Sequence, residues 1–304
     1  MDKSSARVGV LMGGMSAERG VSMKTGAAVL DALVSRGWDA VAIEVGRDLP
    51  ARLVEQGVTV AWIALHGRFG EDGCVQGVCE VMGIPYTGSG VQASAVGMDK
   101  LATKRAVSGH GIRMAEHVVV RRGETRPELP VPSVVKPAVG GSSFGTTVVM
   151  DRGALDAALD DALRYDEAAL VEEFVQGDEI TVAVVDGKAL PVVRILPVDG
   201  WFDYEAKYTK GKTVYEVPAE IPEAVTAQAQ RAAERAYAAV GCAGLARADF
   251  LAPAGEEPVF LEINTLPGMT ATSLSPMAAG AVGVEFPELC EQILLGAHCM
   301  ASEG

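Results

Sequence analysis

The sequence predicts an α/β first third and an α+β remainder, and three observations carry that prediction. Up to about residue 82, short continuous apolar runs alternate with helix-spaced segments, the pattern of a parallel sheet covered on both faces. After residue 117 strand-like runs and a helix mix in a small α+β unit, and a tight-turn hairpin follows. Late in the chain, two apolar runs carry polar residues two positions apart.

Arg7 to Met12 reads as the first strand and stops at Gly13-Gly14. Val21 to Leu33 has helical spacing, Asp39 to Val45 reads as a strand, and Leu49 to Gln56 as a helix. Val58 to Leu65 is a buried strand and Val75 to Met82 a helix. The turn-rich stretch Gly83 to Gly90 closes this unit. One helix is expected from Ala93 to Ser108, then strands at Val118 to Arg122, Ser133 to Lys136, Thr146 to Met150 and Ala169 to Phe174. A helix at Ala154 to Arg164 falls among them. Ile180 to Val185 and Ala189 to Leu196 flank Asp186-Gly187, a tight-turn pair, and predict a hairpin. Phe202 to Thr213 is polar and reads as a functional loop. Glu223 to Val240 and Phe286 to Leu295 read as helices, Gly244 to Leu251 and Val259 to Asn264 as strands.

The chain has 304 residues, long enough for two or three cores. Its 26 Lys and Arg against 40 Asp and Glu give a net charge of −14, which argues against a general nucleic-acid binder but not against a small anionic ligand. No apolar run reaches the roughly 18 residues of a membrane span, so no membrane partner is expected. The apolar Val8 to Met12 is followed by two glycines and Ser16-Ala17-Glu18-Arg19 rather than a cleavage site, and predicts a cytoplasmic start. Five cysteines without a Cys-x-x-Cys pair are expected to be free thiols in a reducing compartment.

Five patches carry chemistry. In Gly-Leu-Ala-Arg247-Ala-Asp249 and Leu-Glu262-Ile-Asn264, residues two apart share a strand face. If the two strands pair, Asp249, Glu262 and Asn264 offer hard oxygen donors suited to Mg²⁺; the alternative is an ion pair of Arg247 with the carboxylates. Lys136 followed by the glycine- and serine-rich 140–145 is either a phosphate-binding loop or a plain turn. Glu18, just after the first strand, is either a helix-start carboxylate or the holder of a ligand ammonium. His66 opens a glycine-rich polar stretch that also contains Glu71, and is either structural or part of a site. Tyr204 to Tyr208 forms the fifth patch.

Together these patches resemble the D-alanine–D-alanine ligase family of the ATP-grasp superfamily. The resemblance rests on Met-Gly-Gly-Met-Ser-Ala-Glu-Arg (12–19), Ala-Leu-His-Gly (64–67), Gly-Glu-Asp-Gly (70–73), Pro-Tyr-Thr-Gly-Ser-Gly (85–90), Met-Asp-Lys (98–100), Gly-Ser-Ser (141–143), Asp-Tyr-Glu-Ala-Lys-Tyr (203–208) and Glu-Ile-Asn-Thr-Leu-Pro-Gly-Met-Thr (262–270). It implies an ATP-grasp fold of three domains: an N-terminal α/β domain over 1–95, a central subdomain over 96–178, and a C-terminal subdomain over 179–304. The activity it implies is ATP-dependent ligation of two D-alanines through a D-alanyl phosphate, for peptidoglycan precursors of the cell wall.

On the same resemblance, Lys100, Lys136 and Lys207 contact the nucleotide phosphates. Glu172, Glu173, Phe174 and Val175 form the adenine hinge, and Glu179 contacts the ribose. Asp249, Glu262 and Asn264 hold two Mg²⁺, replaceable by Mn²⁺. Arg247 and the Gly268 amide face the oxyanion, Glu18 takes the first ammonium with His66 beside it, and Ser273 and Leu274 take the second carboxylate. Glu18, Ser142 and Tyr208 form a hydrogen-bonded group that ties loops over the site. A homodimer is the implied assembly. Gly20, Glu173, Ala138-Val139-Gly140 and Thr272 depart from the family's pattern. Thr272 stands where many relatives carry His, beside the second-substrate pocket. Two other readings stay open: the same mechanism with D-serine, D-lactate or another amino acid as second substrate, and a non-catalytic nucleotide-binding module.

Overall fold

The computed structural model describes residues 1–141, 144–197 and 213–299. The first unit is a parallel sheet in the order β2-β1-β3, formed by β1 (Arg7–Gly13), β2 (Asp39–Val45) and β3 (Val60–Ile63). β1 is the central strand, with Val10 between Ala42 and Trp62. Its apolar run is continuous because both faces are covered, as is usual for parallel sheets. Helix α1 (Arg19–Ser35) packs Val29, Ala32 and Leu33 against this sheet, while α2 (Leu49–Glu55) and α3 (Cys74–Met82) belong to a second cluster with Leu53 and Cys79. The segments following the carboxyl ends of β1 and β3, 14–18 and 64–73, lie side by side.

The single helix expected over 93–108 is two helices, α4 (Val91–Met98) and α5 (Lys100–Val107). Asp99 between them is extended, and its Oδ1 accepts the N–H groups of Leu101 and Ala102 at 2.8 and 3.0 Å. The carboxylate caps α5 and so breaks the run, which the apolar spacing alone does not reveal. Strands β4 (His117–Arg121), β5 (Ser133–Pro137), β6 (Thr147–Val149) and β7 (Ala168–Glu173) form an antiparallel sheet in the order β4-β7-β5-β6. Helix α6 (Leu155–Tyr165) covers it with Leu155, Leu159, Ala162 and Leu163, a stripe at helical spacing.

The third sheet is antiparallel, in the order β11-β10-β8-β12-β13: β8 (Asp178–Val185), β10 (Val193–Pro197), β11 (Thr213–Glu216), β12 (Leu245–Ala252) and β13 (Val259–Asn264). The short β9 (Lys188–Ala189) also pairs with β8 across Asp186-Gly187, whose φ values of 47° and 79° are those of a tight two-residue hairpin turn. β11 lies just past the polar stretch and was not evident from the sequence. Helix α7 (Glu223–Val240) lays Ala229, Ala233, Ala236 and Val240 on this sheet and stops at Gly241. A short helix the sequence did not signal, α8 (Leu274–Gly280), follows. The terminal helix α9 (Phe286–Leu295) packs Leu289, Ile293 and Leu294 onto the first unit beside α1, so one core joins the two ends of the chain. All five cysteines are free thiols. Among the described residues, no helix is long and apolar enough to cross a membrane.

Candidate active site

Strands β12 and β13 pair antiparallel with Arg247 opposite Asn264 and Asp249 opposite Glu262. The Arg247 guanidinium holds Asp249 with two bonds, Nε to Oδ1 at 2.9 Å and Nη2 to Oδ2 at 2.8 Å. Thr181 of β8 donates its hydroxyl to the same Oδ1 at 2.5 Å. Asp249 is 7% exposed, and these charge-assisted bonds offset the cost of desolvating it. The ion pair is therefore present and is partly buried, not a surface bridge. It leaves Glu262 and the Asn264 carboxamide on the neighbouring strand as further oxygen donors. Among the described residues, no three His, Cys, Asp or Glu gather as a metal site. The set here is two carboxylates and an amide, all hard donors, which suits Mg²⁺ by chemistry. The register shifts between Asp249 and Phe250. This bulge breaks the alternation, and the adjacent Leu261 and Glu262 both line the cleft described next.

That cleft opens about 1000 Å³ between the second and third sheets. Lys100, Lys136, Glu172, Glu173, Val175 and Glu179 are on its walls. Lys136 Nζ lies 2.6 Å from Glu172 Oε2 and Lys104 Nζ 2.7 Å from Oε1. All three are almost wholly buried. Burial pushes the Glu172 pKa up, but Lys136 and Lys104 together outweigh it and hold the carboxyl below its ordinary value. Lys100 Nζ, on the first turn of α5, donates to the Gly140 carbonyl and lies 3.7 Å from Glu262 Oε2. The 172–175 stretch is anchored by main chain: the Glu173 N–H donates to Glu116 O at 3.0 Å and the Phe174 N–H to Pro132 O at 3.2 Å. Phe174 itself is not among the residues on the cleft wall.

A second cleft of about 1660 Å³ adjoins the first, and Glu262 and Gly141 line both. Its walls carry Glu18, His66, Arg247, Asn264, Gly268 and Ser273, with Leu274 beside Ser273. Ser16 Oγ donates to the His66 carbonyl at 2.7 Å and accepts the Glu18 N–H at 3.2 Å, tying the loops after β1 and β3 together. Gly67 has φ of 69°, and a Cβ there would overlap Glu18 Oε2. His66 Nε2 meets the Thr25 hydroxyl at 3.1 Å. Burial, helped by Arg247, pushes the His66 pKa down to about 4, so the imidazole is neutral near pH 7. Glu71 accepts the Gly67 N–H at 2.6 Å. Burial first, then Glu18, push its pKa up to about 8. At the far end, Ser273 Oγ accepts the Thr270 N–H at 3.1 Å.

Comparison with known proteins matches this architecture. Residues 92–295 fit the family model described as the D-ala D-ala ligase C-terminus, and residues 46–89 fit that of the D-ala D-ala ligase N-terminus. The chain belongs to the D-alanine–D-alanine ligase family. It is 51% identical over 292 residues to a D-alanine–D-alanine ligase of Citrifermentans bemidjiense, covering 96% of each chain. Among solved structures it resembles the D-alanine–D-alanine ligase of Bacillus anthracis complexed with ATP, with a TM-score of 0.85 and 33% identity over 96% of this chain and 97% of that one. It also resembles the VanG D-Ala:D-Ser ligase of Enterococcus faecalis, with a TM-score of 0.81 and 29% identity over 95% and 98%.

Of the residues that the family resemblance singled out, Ser142, Lys207 and Tyr208 lie outside the described residues. The others, Phe174 apart, lie in or beside the two joined clefts. Sequence reasoning passed over Glu71 as a site residue, and missed Lys104, Thr25 and Thr181. Lys104 had a signal: it shares the buried face of α5 with Leu101 and Val107, where a lysine needs a partner. Thr25 and Thr181 had none, because their partners are far away in sequence.

Proposed function

We propose that this ligase-family chain joins two D-alanines into D-alanyl-D-alanine at the expense of ATP, releasing ADP and phosphate, as a step toward peptidoglycan precursors. One observation carries the reading: Glu262 and Gly141 line both clefts, so a nucleotide's terminal phosphate and an amino-acid carboxylate meet at the wall that also bears Arg247. In this reading the three sheets mark three domains, 1–95, 96–178 and 179–304, and the protein is a homodimer.

A carboxylate is a poor electrophile, and ATP converts it to an acyl phosphate. A carboxylate oxygen of the first D-alanine attacks the γ-phosphorus, and the bond to ADP breaks. Both reactants are anionic, and Lys100, Lys136 and Lys207 neutralise the phosphates. Glu18 takes the first ammonium. The neutral His66 beside it adds no competing positive charge. The amine of the second D-alanine, held through its carboxylate by Ser273 and Leu274, attacks the acyl carbon. The C–N bond forms, the acyl C–O bond breaks, and the departing phosphate takes the proton that the nitrogen loses. Arg247 and the Gly268 N–H face the oxygen that becomes negative between these events. Ser142 and Tyr208 close the loops with Glu18 and exclude water from the acyl phosphate. Asp249, Glu262 and Asn264 would hold Mg²⁺, for which Mn²⁺ substitutes. The metal supplies charge neutralisation for phosphoryl transfer.

The test is ADP release with D-alanine, ATP and Mg²⁺, with the product identified by mass. D-alanyl-D-alanine is expected. Turnover with D-serine or D-lactate but not D-alanine as acceptor would move the reading to another second substrate, and Thr272 would be the residue to examine. ATP binding with no ADP under any amino acid would leave a nucleotide-binding module. Light scattering reads the dimer.

A further inference from the structure

Helix α5 presents two lysines one turn apart, each directed at an acidic residue of a different sheet. Lys100 reaches Glu262 of β13 at 3.7 Å, and Lys104 reaches Glu172 of β7 at 2.7 Å. Lys100 is on the cleft wall; Lys104 is not. Lys104 is 3% exposed and sits behind Glu172, with its Nζ also 3.4 Å from the Ala115 carbonyl. Burying an ammonium is costly, and burial does push the Lys104 pKa down against the pull of Glu172.

Lys104 changes the charge balance around Glu172. Lys136 and Glu172 alone would form a neutral pair, with the ammonium 2.6 Å from Oε2. Such a pair offers little to a polyanion. Lys104 Nζ lies 2.7 Å from the other carboxylate oxygen, so the trio carries two ammoniums and one carboxylate, a surplus of one positive charge. Lys136 and Glu172 are the members that face the cleft, so the surplus is expressed on the cleft side.

We propose that Lys104 is a positioning residue for the nucleotide: it shares the Glu172 carboxylate from behind and thereby leaves the Lys136 charge available to the nucleotide phosphates. This rests on reading the cleft as the ATP site. The prediction is specific to phosphate. Lys104→Met should weaken ATP at least tenfold while weakening adenosine, which has no phosphate, by less than threefold. A tenfold loss corresponds to about 1.4 kcal/mol. KM for ATP should rise by a similar factor, with kcat and the KM for D-alanine changed less than threefold. Lys104→Arg, which keeps the charge, should restore most of the ATP affinity.

The experiment is titration calorimetry of a non-hydrolysable ATP analogue and of adenosine against wild type, Lys104→Met and Lys104→Arg, with steady-state kinetics alongside. Lys104→Met still leaves Glu172 paired with Lys136, so it should fold, and circular dichroism checks this. Equal weakening of ATP analogue and adenosine would overturn the proposal and make Lys104 merely structural, as would a Lys104→Arg variant as weak as Lys104→Met. A wild type that binds neither ligand overturns the nucleotide site itself, an outcome distinct from any behaviour of the variants.

Discussion

The two joined clefts are built by different means. At the nucleotide end, charges stand on strands and on helix α5, each with a charged partner beside it: Lys136 and Lys104 on Glu172, Asp249 on Arg247 two residues along β12, Lys100 near Glu262. At the amino-acid end, Arg247 and Asn264 apart, the groups stand on loops after β1, β3 and β13, held by bonds between side chains and backbone such as Ser16 Oγ to His66 O and Gly67 N–H to Glu71 Oε2. The first end is fixed by charge, the second by backbone conformation. A substitution that conserves shape but removes charge should damage the first more, and one that adds a methyl to a glycine should damage the second more.

Glu262 lines both ends, and it carries the largest expected effect. Glu262→Gln keeps the shape and removes the charge opposite Asp249. Turnover should fall at least a hundredfold, about 2.7 kcal/mol of transition-state stabilisation, with ATP binding reduced much less. Retention of more than about a tenth of wild-type turnover in an ADP-release assay would remove Glu262 from the chemistry.

Gly67 tests the other means of construction. Its positive φ disfavours any side chain, and a Cβ would press on Glu18 Oε2 and lie 3.2 Å from Ser16 Oγ. Gly67→Ala should lower kcat/KM for D-alanine by 10- to 100-fold, roughly 1.4 to 2.7 kcal/mol, and leave the KM for ATP within twofold. Gly20 is the control: no atom lies within 4 Å of a Cβ there, and Gly20→Ala should stay within twofold of wild type. Equal losses in the two variants would break the contrast between the ends.

The same contrast governs what the sequence disclosed. The β12–β13 ladder was legible because polar residues two apart in apolar strands must share a face, and the register set them opposite one another. The parallel first sheet was legible from its continuous apolar runs. The break at Asp99 was not, since Ala93 to Val107 keeps helical spacing through it and only a capping bond ends one helix and starts the next. The bulge at Leu261 was not, because nothing in Val-Phe-Leu-Glu marks an extra residue. Glu71 was seen only as part of a glycine-rich motif; its role as acceptor of the Gly67 N–H depends on how the loop turns. The packing of α9 on α1, with Leu33 and Leu289 in one cluster, joins residues more than 250 apart, beyond any local signal.

The amino-acid end should also show itself in the pH dependence of stability. Glu71 has its pKa raised from 4.5 to about 8, so the folded state holds a proton that the unfolded chain has released. Its stabilising contribution is full below pH 4.5 and is lost as pH rises through about 8. His66 is depressed from 6.5 to about 4, so its contribution is present above pH 6.5 and is lost as pH falls toward 4. The two offset one another between pH 4.5 and 6.5, and between 6.5 and 8 only Glu71 acts. Wild-type Tm should fall by several degrees from pH 6.5 to 8. Glu71→Gln keeps an acceptor for the Gly67 N–H but cannot titrate, and its Tm should fall at most half as far. A parallel decline in the two proteins would assign the slope to other groups.

The smallest effect is expected at Asp99, where a cap rather than a charge pair sets the nucleotide end. Its Oδ1 accepts two N–H groups at the start of α5, and its extended backbone turns the chain out of α4. Lys100 and Lys104 take their directions from that start. Asp99→Ala removes the acceptor and the favourable carboxylate at a helix N-terminus, a loss of about 1 kcal/mol. In a chain of this size that corresponds to a fall in Tm of about 2 °C. The catalytic consequence should be selective. A loosened first turn moves both lysines, so the KM for ATP should rise about two- to threefold while the KM for D-alanine holds. Asp99→Asn, which keeps an oxygen acceptor, should recover most of the Tm and of the ATP KM, since Asn caps as well as Asp. If Asp99→Ala raised the KM for D-alanine as much as that for ATP, the start of α5 would serve both ends alike, and the division of the site into a charge-fixed and a backbone-fixed half would fail at this helix.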